Sequence, residues 1–166
     1  KINISKPKRQ EPIIKRGRGI HIKTVREIKL MRNSSRIVAT VLREINDLIR
    51  PGMSTQDLDD FAEKRIIEMG AVPSFKGLYG FPASICSSIN NEVVHGIPNN
   101  KKIIKEGDLV KIDTGAYLEG FHGDSCISIC VGQANKKALN LSKVAQDALY
   151  AGLSKIKEGN TLLDIA

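Results

Sequence analysis

Asp113 and Asp124 stand in the segment KIDTGAYLEGFHGDS, residues 111–125, where two runs of alternating residues flank Leu118-Glu119-Gly120. That pattern predicts a tight β-hairpin. With Leu118 and Glu119 as its two loop residues, Tyr117 pairs with Gly120 and Asp113 faces Asp124 directly, with Cβ atoms about 4.5–5.5 Å apart. Like charges so placed repel. A protein holds such a pair when one carboxyl is protonated, when both face water, or when a cation sits between them. The apolar neighbours Val110, Ile112, Ile127 and Ile129 make full exposure the least expected of the three. A protonated dyad suits acid chemistry, whereas carboxylates shared by two divalent ions about 3.5–4 Å apart suit activation of a water. Ordinary edge carboxylates are the plain alternative, and another loop length would break the pairing.

His95, in NNEVVHGIP (residues 90–98), precedes Gly96 and lies near Pro98, a loop setting from which an imidazole can reach into a cleft. Taken alone, a single loop histidine is more often structural or exposed. The chain has three cysteines. Cys126 and Cys130 fall on one face of a strand about 13 Å apart at about 3.3 Å per residue, too far for a disulfide. Free thiols fit a reducing compartment, and no close Cys pair of the zinc-knuckle kind is present.

The elements that must carry these residues are legible on either side. Thr24 and Glu27 form a capping box, and Val38, Val41, Leu42, Ile45, Leu48 and Ile49 recur at helical spacing, which predicts a helix over 24–49. Pro51-Gly52 stops it. Ser54 caps a second helix whose stripe is Leu58, Phe61, Ala62, Ile66 and Met69, and Gly70 ends it. Between 71 and 131 frequent Gly and Pro break the chain into short extended runs, a sheet region. Leu141, Val144, Ala145, Ala148, Leu149 and Ile156 mark a third helix over 135–157, and Thr161 to Asp164 repeat a capping pattern.

At 166 residues and 41% hydrophobic content, the chain suits one compact domain. No stretch approaches the roughly 18 consecutive apolar residues that would span a bilayer. The net charge is +8, but residues 1–20 carry seven Lys/Arg against Glu11, so the other 146 residues hold only +2. Residues 1–20 therefore read as a basic flexible extension and 21–166 as the folded portion. Such tails are commonly just solvated. The functional alternative is electrostatic attachment to a polyanion such as ribosomal RNA. With no Trp and few aromatics, stacking platforms for single-stranded nucleic acid are not expected.

Taken together, NNEVVHGIP, EGDLVKIDTGAYLEGFHGD and the helix after VGQANKKA closely resemble bacterial and plastid type I methionine aminopeptidases, from Ile22 to Ala166. The wording is nearest to cyanobacterial or plastid-derived members. The resemblance implies an α/β (α+β) architecture, the N-terminal half of a pita-bread fold with helices packed on an antiparallel sheet. It implies two divalent metal ions (Co, Mn, Fe or Zn), with Asp113 chelating one and Asp124 bridging both, and His95 contacting substrate and stabilising the tetrahedral intermediate. It also implies a methionine pocket that includes Cys86 and the aromatic residues Tyr79 and Phe81 of the loop FKGLYGF, whose thiol and apolar walls suit a thioether. Leu78 and Phe81 stand where tyrosine is common in the family, which removes any hydroxyl contact from those positions.

The implied function is removal of the initiator methionine from nascent chains in the cytoplasm, or in a plastid. The enzyme would be a monomer when complete, with no membrane or DNA partner, and would reach the ribosome through residues 1–20. The family's remaining His and two Glu ligands cannot be located before Ala166, so the sequence reads as truncated and the 166 residues as inactive alone. A non-catalytic pita-bread protein binding peptide tails or ribosomal RNA is the alternative function. Its relatives typically lose the metal ligands, whereas Asp113, Asp124 and His95 are all present. A prolidase-like peptidase is a third candidate, disfavoured by the wording around His95.

Overall fold

The structure is a computed structural model that describes residues 21–166, so the basic extension expected over 1–20 lies outside the described residues. Helix α1 spans Val25–Leu48. Its capping box forms as expected: the Glu27 amide donates to Thr24 Oγ1 at 3.3 Å and the Thr24 amide to Glu27 Oε2 at 2.7 Å. Helix α2, Thr55–Glu68, starts at Ser54 with the same reciprocal arrangement to Asp57. The α1 residues Ile37, Val38, Val41, Leu42 and Ile45 meet Leu58, Ala62 and Ile66 of α2 in the core, each at most 5% exposed. Burial of this order contributes about 1.5–3 kcal/mol per large side chain.

The sheet is antiparallel. Strand β3 (Leu109–Leu118) runs its full length beside β4 (Phe121–Cys130), while its other edge takes β1 (Val72–Pro73) and β2 (Ile85–Ile89) end to end. Because side chains alternate, Val110, Ile112, Thr114 and Ala116 point under α1 and α2, and Lys111, Asp113 and Tyr117 point to the other, open face. The apolar neighbours Val110, Ile112 and Ile129 are core residues on the opposite face from the aspartates, and Asp124 is exposed. Those neighbours therefore do not enclose the carboxylates, because they share the strands of the aspartates but not their face; Asp113 is half-buried all the same.

The hairpin register also differs from the expectation. Leu118 pairs with Phe121, leaving Glu119 and Gly120 as the loop, with φ of 49° and 92°. Positive φ at both central residues is the type I′ requirement that Leu118 would meet poorly and Gly120 meets freely. Asp113 consequently lies opposite Cys126, and Asp124 opposite Gly115.

Helix α3 runs Lys136–Leu153, four residues short of the expected end. Gly152 and Ser154 weaken the last turn, and the Ser154 hydroxyl donates to the Ala151 carbonyl. Its predicted stripe is not buried: Leu141, Val144 and Leu149 are 55–60% exposed. The capping box from Thr161 to Asp164 forms and opens a short 3₁₀ turn, Leu162–Asp164.

Candidate metal centre

Three strands place a row of functional groups on the open face. Cys86 of β2 pairs with Asp113 of β3, which pairs with Cys126 of β4. Asp124 is two residues from Cys126 and hence on the same face, diagonal to Asp113 across the position of Gly115. The slip in register moved the partner of Asp113 by two positions, so the aspartates are diagonal neighbours and not the directly opposed pair expected. Their carboxyls nevertheless touch. Burial first, then the charge of Asp124 and a hydrogen bond with its carboxyl, hold Asp113 above the usual carboxylate range, partly offset by His95.

Cys86 is 6% exposed, and burial together with the Asp113 and Asp124 charges pushes its thiol up to about 11. It is a neutral, soft, apolar wall at physiological pH. The start of its strand is fixed by Asp59, whose carboxylate, 3% exposed, accepts the Ser84 and Ile85 amides at 2.8 and 2.9 Å. Burial raises Asp59 despite those two bonds.

His95 takes φ of 59° in the loop that returns beside β2. Two bonds pin that loop: the Ser87 amide donates to the Gly96 carbonyl at 2.8 Å and the Gly96 amide to Ser88 Oγ at 3.0 Å. His95, Asp113, Asp124, Cys86, Phe81 and Tyr79, the six residues singled out from sequence, all line one cavity of about 450 Å³. Phe75, Leu78 and Ile97 complete it. Phe75 and Leu78 belong to the loop that the resemblance placed at the methionine pocket, whereas Ile97 was not expected there, its place two residues beyond His95 being the available signal. Cys126 lies opposite Asp113, where the expected register had put Asp124.

Residues 29–166 match metallopeptidase family M24. The chain belongs to that family. Within M24 it is 43% identical over 147 residues to a methionine aminopeptidase of Clostridium acetobutylicum, covering 89% of this chain and 59% of that protein. It is 46% identical over 144 residues to methionine aminopeptidase 1 of Bacillus subtilis, covering 87% and 58%. The crystal structure of methionine aminopeptidase from Thermotoga maritima superposes with a TM-score of 0.81 at 35% identity, over 84% of this chain and 56% of that one. Prolidase from Pyrococcus furiosus, at 24% identity and a TM-score of 0.77, shares the fold. The M24 chain thus spans a little under three fifths of the length of these methionine aminopeptidases. Helices on an antiparallel sheet, in the pita-bread class, are what the resemblance led us to expect.

Whether the M24 site fits a metal can be asked of its own groups. Two neighbouring carboxylates, one held above its normal range by burial first and by the charge of the other second, are an arrangement that a divalent cation relieves. Among the described residues, no set of three or more His, Cys, Asp or Glu side chains converges to hold an ion. The donors present fit oxygen coordination but supply only part of a five- or six-ligand shell.

Proposed function

We propose that this chain carries the carboxylate pair and one pocket wall of a methionine aminopeptidase that removes the initiator methionine from nascent polypeptides. The contact between Asp113 and Asp124, on an open face beside a cavity walled by Phe75, Phe81 and Cys86, carries the reading. Asp113 and Asp124 would hold the metal, for which two divalent ions of the Mn, Fe, Co or Zn group suit oxygen donors and peptide hydrolysis. A metal held by these two carboxylates would supply an activated water as the hydrolytic nucleophile near neutral pH.

The chain's own residues do the rest. Asp113 and Asp124 line the cavity, so a metal they held would face it. Cys86, Phe75, Phe81 and Tyr79 offer an apolar, polarizable lining for a thioether side chain and keep water from it. His95 lines the same cavity and is assigned the role of donating to the carbonyl of the scissile bond. Residues 1–20, with six net positive charges, are assigned to ribosomal RNA, which would bring the enzyme to the ribosome.

The deciding experiment is methionine release from a Met-Ala-Ser peptide by the full-length protein, with and without Mn²⁺ or Co²⁺. Release should require metal. Asp124→Asn should cost more than the roughly 10–100-fold typical of residues that only support a ligand. Metal-independent release, or an Asp124→Asn enzyme with full activity, overturns the proposal.

A further inference from the structure

The loop that lines the cavity leaves the sheet at one point, and a side-chain bond on the open face marks it. Pairing of β1 with β3 ends at Pro73 and Ala116, after which the Ser74 amide donates to the Gly115 carbonyl at 2.9 Å. Gly115 is a missing side chain in the row of Asp113 and Tyr117, and that gap is filled. A Cβ there would fall 2.8 Å from Ser74 Cβ and 3.1 Å from Phe75 Cε1. Ser74 and Phe75 therefore lie directly on the backbone of β3, where no residue but glycine leaves room.

From that slot Ser74, 7% exposed, reaches across β3 and shares a 2.8 Å hydrogen bond with Nδ1 of His122 on β4. The His122 ring lies against Tyr117, its cross-strand partner, with centroids 4.8 Å apart and planes at 47°. Beyond Ser74 the loop closes on itself: the Gly77 amide donates to the Phe81 carbonyl, Leu78 to Phe75 and Phe81 to Leu78. Such a loop moves as a unit, so its attitude over the carboxylates depends on how its ends are tied.

We propose that His122 is a positioning residue. Its bond to Ser74 straps the 74–81 loop across β3 and thereby sets the pocket wall that Phe75 presents to the substrate side chain beside Asp113 and Asp124. The part concerning substrate rests on the methionine aminopeptidase reading; the strap does not.

The test uses the full-length protein and separates the two. His122→Phe keeps a ring against Tyr117 and removes the hydrogen bond; Ser74→Ala removes it from the other side. Each should raise KM for Met-Ala-Ser about tenfold with kcat within about twofold, and the double variant should be no worse than either single one. His122→Asn, which carries a hydrogen-bonding atom near the Nδ1 position, should restore KM to within about threefold. Amide hydrogen exchange gives the second readout: in His122→Phe and Ser74→Ala the Gly77, Leu78 and Phe81 amides should exchange at least about tenfold faster, with α1 unchanged. A lowered melting temperature with unchanged KM would mean a merely structural role and overturn the inference, as would failure of His122→Asn to rescue or unchanged loop exchange. Should the wild-type protein release no methionine, the functional reading fails, while the exchange measurement still decides the strap.

Discussion

Asp113 is half-buried in contact with another carboxylate, and its protonation couples the metal-free fold to pH. Its pKa is raised by folding, so its contribution to stability is present below the ordinary value of 3.8 and is lost as pH rises through the raised one. At neutral pH the metal-free protein therefore carries a repulsion that a cation or a neutral side chain removes. Asp113→Asn should raise the melting temperature of the metal-free chain at pH 7, by about 2–4 °C for each kcal/mol of repulsion relieved. Near pH 3.5, where the wild-type carboxyl is protonated, the difference should shrink. Millimolar Mn²⁺ should stabilise the wild type at pH 7 and leave the variant nearly unmoved. Thermal melts at the two pH values check this, and a variant that melts lower at pH 7 without metal would show that the contact is not repulsive.

At the scale of elements, the hairpin that carries both aspartates turns at Glu119 and Gly120, and Glu119 sits at φ 49°. Left-handed backbone costs a side chain bearing Cβ about 1–2 kcal/mol, least for Asn. Glu119→Asn creates the Asn-Gly pair that type I′ turns favour. It should stabilise the fold by about 0.5–1 kcal/mol, read as a denaturant midpoint shifted upward with unchanged slope; a downward shift would contradict the turn assignment. The same turn shows what the sequence could and could not disclose. Helices α1 and α2 were legible because the Thr24/Glu27 box and the Ser54 cap are local signals satisfied within four residues. The shared face of Asp113 and Asp124 was legible too, since any two-residue loop preserves the parity of alternation. Their cross-strand partners were not, because Leu118-Glu119 and Glu119-Gly120 are both two-residue loops and only backbone φ distinguishes them. Ser74 and His122, 48 residues apart, meet only because Gly115 opens a slot that no periodicity announces.

Across the whole molecule, stability is divided unevenly. The sheet, α1 and α2 share one core in which Val41, Ile45, Leu58, Ile66, Ile85, Val110 and Ile112 are wholly buried. Helix α3 has no buried residue, and Leu139, Leu141, Val144, Leu149, Tyr150 and Leu153 are each 48–61% exposed. A helix of 18 residues with no buried face is marginal in water, because most helical stability in proteins comes from such a face. Its side-chain support is local: the Asn135 cap on the Ala138 amide, the Ser154 hydroxyl on the Ala151 carbonyl, and an exposed pair between Lys143 and Asp147, about 0.3–0.5 kcal/mol for that spacing. Segments with few buried contacts open at low free energy, whereas the core helices open only near the global limit. In the 166-residue chain, trypsin should therefore cut after Lys143 at least about tenfold faster than after Lys29 or Arg36 in α1, sites of similar chemistry on a helix anchored by the core. Time-resolved mass spectrometry of the fragments reads both rates at once. Equal rates would mean that α3 is held by the same cooperative unit as α1, and the division drawn from burial would have to be given up.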